Sequence, residues 1–257
     1  SRIWGQCELV EACQKNGVKF LTTCFDIERI DFLSKLGMDA IKVASCDGNS
    51  NKMIKMLSES FSRLIVSTGM LSPAEIIDLH NMLDDMNICS PKRPKGARNS
   101  SGKTLKDIGV IACNFPEFAI LHCVSLYPTP LEKINLRRFN FINEVVSSGR
   151  GNFGISDHSM GTAFPKYSVS NGATWIEKHF TTDRLLPGPD NPMSINPKEL
   201  KTIRDDCDNF ILNDHVANSD NSFDLIGKDI TEAIGLDPWS AELELKNALK
   251  DRFGKNS

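Results

Sequence analysis

Six short apolar runs, each the length of a buried strand, recur along this chain with helix-like sequence between them. That alternation restricts the fold more than any other feature. The runs are Lys19–Thr23, Ala40–Ser45, Arg63–Ser67, Phe118–Val124, Asn152–Ser156 and Thr174–His179. Their near-continuous apolar character predicts parallel strands covered on both faces. Between them the periodicity changes to that of helices. Asp26–Leu36 carries Ile27, Ile30, Phe32, Leu33 and Leu36, with Gly37 as its stop. Ser72-Pro-Ala-Glu75 supplies a cap, a first-turn proline and an acid three residues beyond the cap, and Asn196-Pro-Lys-Glu199 repeats that chemistry. Ala163–Asn171 predicts a helix between the last two strands, and the first nineteen residues read as a helix entering the first.

Such alternation gives either an open doubly wound sheet or a (β/α)8 barrel. No glycine-rich turn of the dinucleotide type follows a strand, and candidate polar residues stand at several strand ends at once, which is the barrel pattern. The predicted fold class is therefore α/β, of the (β/α)8 TIM-barrel type. Six strands are visible where a barrel has eight, so the chain reads as truncated to about six β/α units, beginning about two strands in. It has no starting Met and reads as a fragment or a processed form. The predicted organisation is a partial barrel over residues 1–212 with a polar insertion over 87–115, then a helical extension over 213–257. The insertion's basic run, Pro91 to Arg98, reads as a solvated loop or as a contact for phosphate or nucleic acid. The extension ends in an amphipathic stretch, Ala241–Leu249, a peripheral or partner-docking helix.

The net charge of −3 offers no single-sign field, so neither nucleic acid nor an anionic membrane is expected as a partner. Hydrophobic residues make up 40 % of the 257, enough for a packed core, and no apolar run approaches the ~20 residues of a membrane span. No secretory leader stands at the amino end, and the expected location is cytoplasmic. None of the eight cysteines forms a CxxC pair with zinc-site spacing, several lie in apolar segments, and the chain's length and expected location predict free thiols.

Two histidines carry the clearest chemistry. His158 closes Phe153-Gly-Ile-Ser-Asp-His158, and His179 closes Thr174-Trp-Ile-Glu-Lys-His179, 21 positions on. Adjacent parallel strands ending this way can aim two imidazoles at one point, suiting Mn, Zn, Fe or Co with positions left for water and substrate oxygen. The alternative is two core histidines bonded to backbone carbonyls. Asp157 is a candidate for fixing an imidazole tautomer. Lys42 lies inside a buried strand, so it either pairs with a core carboxylate or binds a phosphate or carboxylate. Ser45 and Ser67 end their strands, as caps or as hydroxyl donors, and Ser67-Thr-Gly69 could cradle a phosphate. Ser125 and Tyr127 share a parity beyond the fourth strand, as do Ser156 and His158 in the fifth. His122 reads as a hydrogen-bonded core histidine or a site residue. Asp190, in Pro187-Gly-Pro-Asp190, is either a turn residue or a presented carboxylate.

Taken in order, Leu21-Thr-Thr-Cys-Phe-Asp26, Ile41-Lys-Val-Ala-Ser45, Ser67-Thr-Gly-Met70, Leu121-His-Cys-Val-Ser-Leu-Tyr-Pro-Thr-Pro130, Ile155-Ser-Asp-His158, Ile176-Glu-Lys-His-Phe-Thr181 and Asp183-Arg-Leu-Leu-Pro-Gly-Pro-Asp190 give Phe20–Leu200 a resemblance to the sialic acid synthases, the N-acetylneuraminate synthase family. The resemblance implies a barrel enzyme that condenses phosphoenolpyruvate with an N-acetylated sugar aldehyde such as N-acetylmannosamine. It implies that His158 and His179 bind a divalent metal, usually manganese. It implies that Lys42, Ser45, Ser67 and Ser156 hold phosphoenolpyruvate, and that Asp47, Ser125, Tyr127 and Asp190 lie near the sugar. Relatives often carry Asn at the position of Ser125, Glu at that of Asp47 and Pro at that of Cys24. The catalytic glutamate of the family is expected upstream of Ser1. An antifreeze-like domain that lends an arginine to the partner's site is not recognisable in 213–257. The family habit implies a homodimer. Competing expectations are another phosphoenolpyruvate-using, metal-dependent barrel synthase, and a degenerate barrel kept for binding or assembly.

Overall fold

The computed structural model describes residues 2–87, 117–149 and 151–214. The predicted insertion over 87–115 and extension over 213–257, apart from their first residues, lie outside the described residues, as do Cys89 and Cys113. Among the described residues there are six strands: β1 (Thr23–Cys24), β2 (Ala40–Val43), β3 (Arg63–Ser67), β4 (Glu117–Cys123), β5 (Asn152–Asp157) and β6 (Trp175–Lys178). Seven α-helices are described: α1 (Arg2–Lys15), α2 (Ile30–Ser34), α3 (Asn51–Ser60), α4 (Pro73–Asn87), α5 (Leu136–Ser147), α6 (Ala163–Ser170) and α7 (Pro197–Asp214). Strand order in the sheet follows chain order. The pairs β1–β2, β2–β3 and β5–β6 are parallel, as strands joined by helical crossovers must be.

The chain divides into two compact units. One holds Ser1–Ile120 with Val145–Asn152, the other Leu121–Glu144 with Phe153–Ser257. In the first, Ile41 and Val43 of β2 and Leu64 and Val66 of β3 are completely buried, and α3 turns Ile54 and Leu57 inward. In the second, Leu121 and Ile155 are buried among Phe139, Phe153 and Phe164, with ring centroids of the Phe139–Phe153 pair 4.8 Å apart. Leu, Ile, Val and Phe filling both sides of short strands explains why the runs look continuous rather than alternating.

Helix starts follow the local chemistry. Ser72 N donates to Glu75 Oε2 at 2.8 Å while Glu75 N donates to Ser72 Oγ at 3.3 Å. At α7 the same reciprocal pair forms between Asn196 and Glu199, both at 2.9 Å. Each box satisfies two orphan donors of the first turn. Two expectations are corrected. Lys19–Thr23 is not a strand; β1 is confined to Thr23–Cys24. Asp26–Leu36 begins as a 3-10 turn, Ile27–Arg29, because the Asp26 carboxylate accepts Glu28 N, and becomes helical only over Ile30–Ser34. Gly37, at φ 74°, then takes the left-handed turn predicted for it.

The six described cysteines, Cys7, Cys13, Cys24, Cys46, Cys123 and Cys207, are free thiols. Among the described residues no helix is long and apolar enough to cross a membrane.

Gly154 on β5 is pressed between Leu121 of β4 and Trp175 of β6. A Cβ there would stand 2.5 Å from both Trp175 Cβ and Trp175 O and 2.7 Å from Leu121 Cδ2. Two of those atoms belong to a neighbouring strand and cannot rotate away. Gly154→Ala is expected to lower unfolding free energy by about 2 kcal/mol, read by urea denaturation, as overpacking of a rigid contact does. An unchanged midpoint would show that β6 shifts freely.

Candidate functional site

In the second unit, strand ends gather His158, His179, Tyr127 and Asp190. His158 follows β5 and His179 follows β6, and register aligns Ser156 with Glu177 and Asp157 with Lys178. Each histidine is thus the first residue past a paired strand. Their ring centroids are 5.4 Å apart with planes at 72°. Tyr127 covers His158 with centroids 4.0 Å apart and meets His179 edge-on at 5.9 Å.

One ring is held through Nδ1 and the other faces a carboxylate there. His158 Nδ1 donates to the Val124 carbonyl at 2.9 Å. His179 Nδ1 faces Asp190 Oδ2 at 3.5 Å. For His158 this leaves Nε2 as the available lone pair in the neutral form. Asp157 does not fix a tautomer, contrary to expectation: alternation puts it on the opposite face of β5 from Ser156, where it pairs with Lys178 instead.

The neighbourhood tunes the two rings differently. Burial pulls the His158 pKa down, but the Cys123 side chain, the Val124 carbonyl and the Asp157 charge outweigh it, and the net shift is upward. His179 is shifted downward, first by burial and then by the nearby His158, against the pull of Asp190 and Glu177.

The ring spacing matches that of two ligands to one ion. An imidazole nitrogen bound at about 2.1 Å puts its ring centre about 3.3 Å from the ion, so two rings at right to tetrahedral angles stand roughly 5 Å apart. The observed 5.4 Å falls in that neighbourhood. Among the described residues no group of three or more His, Cys, Asp or Glu is placed to hold a metal. Two imidazoles alone would leave most of an ion's coordination sphere to other ligands.

The remaining predicted residues of this unit are less concentrated. Ser156 is buried on β5. Ser125 is exposed, because Leu126 N bonds back to Val124 O at 2.9 Å and turns the chain before the predicted strand parity can apply. Asp190 rides on a braced loop, in which Ser194 Oγ donates to Asp190 O at 2.8 Å and Arg184 Nε to Ser194 O at 3.0 Å. His122 is a core histidine, 1 % exposed, with Nε2 bonded to Ile134 O at 2.8 Å.

The first unit carries Lys42, Ser45, Asp47 and Ser67. Lys42 is buried on β2, 6 % exposed. Ser45 and Asp47 lie in a 3-10 turn directly after that strand. Ser45 Oγ accepts Gly69 N at 3.0 Å, tying the end of β2 to the turn after β3 and occupying one N–H of the expected phosphate cradle. Ser67 Oγ is buried without a hydrogen-bond partner among the described residues, a polar group in want of one.

Sequence reasoning passed over Lys178, Val124 and Arg184. Lys178 carried the same signal as Lys42, a cation within a short apolar run; Val124 acts through its backbone carbonyl, which leaves no residue-type signature, and Arg184 through a guanidinium whose partners, Ser194 O and Glu199, lie ten and fifteen positions on.

Known proteins resemble the chain over this same region. The NeuB family profile matches residues 5–214. The N,N'-diacetyllegionaminic acid synthase of Campylobacter jejuni subsp. jejuni serotype O:2 is 30 % identical over 196 residues, 76 % of this chain and 50 % of that protein. The N-acetylneuraminate-9-phosphate synthase of Drosophila melanogaster is 28 % identical over 210 residues, 80 % of this chain and 47 % of that one. The chain spans about half the length of the curated relatives it matches. The crystal structure of the N-acetylneuraminic acid (sialic acid) synthetase from Leptospira borgpetersenii serovar Hardjo-bovis superposes with a TM-score of 0.67 at 25 % identity, covering 91 % of this chain and 72 % of that one. The fold is accordingly α/β, six β/α units of the barrel type shared with that synthetase.

Proposed function

The chain belongs to the NeuB family, and on that premise we propose that it serves a synthase condensing phosphoenolpyruvate with an N-acetylated sugar aldehyde to give a sialic acid-type nonulosonic acid. The observation that carries the reading is the imidazole pair of His158 and His179, 5.4 Å apart, with the His158 ring anchored through Nδ1 to Val124 O and the His179 ring facing Asp190. A divalent ion held there, manganese in this reading, supplies Lewis acidity toward the aldehyde oxygen.

The chain's own residues do the rest by holding and orienting. Lys42 supplies a fixed cation, and Ser45, Ser67 and Ser156 supply hydroxyls, for the phosphate and carboxylate of phosphoenolpyruvate. The unpartnered Ser67 Oγ supports such a role. Asp47, Ser125, Tyr127 and Asp190 serve the sugar, with the exposed Tyr127 ring offering an apolar face beside the histidines. In the reaction the enol carbon forms a bond to the aldehyde carbon, water adds at the phosphate-bearing carbon, and inorganic phosphate leaves with the C–O electron pair. Prealigned charges and donors provide most of such an acceleration. No residue of this chain is assigned the acid–base role.

The test is release of inorganic phosphate from phosphoenolpyruvate plus N-acetylmannosamine or a related bacterial sugar. It is run on the chain by itself and joined to any coding sequence that adjoins it. The expected result is release that requires both substrates, stops with EDTA and resumes with manganese. Release independent of sugar, or none from either form, sinks the proposal.

A further inference from the structure

The two histidines stand immediately beside a buried ion pair that no step of the reaction uses. Lys178 Nζ lies 2.6 Å from Asp157 Oδ2, and the two side chains are 4 % and 2 % exposed. The same ammonium donates to Ser159 O at 2.7 Å, and Asp157 Oδ1 accepts Ser159 N at 2.8 Å. Asp157 precedes His158 and Lys178 precedes His179, and the two are register partners across β5 and β6. We propose that the Asp157–Lys178 pair is a positioning device that sets the separation of the two imidazoles. The inference rests on the metal reading given above.

The geometry gives the reason. Side chains alternate along a strand, so the residue before each histidine projects from the other face of the sheet. On one face the last register pair is joined by a short charged contact. On the other, the chain emerges into the two histidines. Ser159, the residue after His158, is gripped through both its N–H and its carbonyl, so His158 is fixed from behind and ahead. Thr129 N also donates to His158 O at 2.9 Å. A backbone held this way leaves the His158 ring little freedom beyond its own torsions, and those are fixed by Val124 and Tyr127.

A buried ion pair is a poor choice for stability alone, since well-packed apolar residues of similar volume often serve as well or better. Its directional contacts do what apolar packing cannot: they fix register and angle at one point. Shells beyond the ligands commonly govern metal affinity by 10- to 100-fold.

The test separates holding the fold from placing the rings. Lys178→Met alone strands a buried carboxylate and risks unfolding the protein. The double variant Asp157→Leu/Lys178→Met removes both charges and restores an apolar contact. The expected double variant melts near the wild-type temperature, binds manganese at least about 10-fold more weakly by titration, shows an altered Mn2+ electron paramagnetic resonance spectrum, and has its imidazole separation changed in a metal-free crystal structure. A folded double variant with unaltered ring separation and wild-type manganese affinity overturns the inference while leaving the metal reading intact. Wild-type protein that takes up no manganese overturns the metal reading itself, and the inference with it.

Discussion

His158→Ala and His179→Ala are each expected to fold and to bind manganese at least about 100-fold more weakly than the wild-type chain, a loss of roughly 2.7 kcal/mol or more. Among the described residues the two imidazoles have no third His, Cys, Asp or Glu beside them in a metal-binding arrangement. Removing one therefore takes away half of what the protein contributes. Changes one shell further out already cost 10- to 100-fold, so a lost ligand must cost more. Stability should move far less. His158 gives up one hydrogen bond to Val124 O and the stack on Tyr127, about 1 kcal/mol for the former. Manganese titration followed by paramagnetic resonance, alongside thermal melts, separates the two effects. Affinity unchanged in both variants would place the ion elsewhere.

How much of this was readable from sequence depends on how local each determinant is. The capping boxes at Ser72 and Asn196 were legible because each is a reciprocal contact within four residues. Strands β2 to β5 were legible because burial on both faces writes a near-continuous apolar run, β6 was legible from a shorter run although all four of its residues are only half-buried, and the histidine pair was legible because it ends two such runs. The start of β1 was not. Lys19–Thr23 has strand-like composition, but pairing with β2 begins only at Thr23↔Lys42, a register that a single strand cannot encode. The anchors of the histidines were also hidden. Asp157 is adjacent in sequence to His158, yet alternation turns it away, and the carbonyl that fixes the ring comes from Val124, 34 positions earlier. Lys178 could have been found by the reasoning applied to Lys42, since a lysine in a buried run must have an anionic partner.

Acid should destabilise the second unit through His122, by about 2–3 kcal/mol between pH 7.5 and 4.5. The ring is 1 % exposed and flanked edge-on by Phe139 and Phe164, centroids 5.9 and 6.0 Å away. Nε2 must carry the proton, because it bonds to the Ile134 carbonyl at 2.8 Å, and Nδ1 is buried with no hydrogen-bond partner among the described residues. Protonation would thus place a charge and an unpaired N–H in an apolar cage. Burial is the main reason the pKa is pushed down to about 4; the Ile134 carbonyl works against the shift, and the Arg138 charge adds to it. Because the folded pKa lies below the unfolded value of about 6.5, the unfolded state binds the proton first. The stabilisation is complete above pH 6.5 and is lost progressively as pH falls from there toward 4. Carboxylates elsewhere titrate in the same range, so the contribution of His122 is the difference between wild type and His122→Gln, whose amide can still donate to Ile134 O without gaining a charge. Unfolding free energies from denaturant titrations at both pH values should show wild type losing about 2–3 kcal/mol more than His122→Gln on acidification. Parallel acid profiles for the two proteins would mean that water reaches Nδ1 and that the cage around His122 is open.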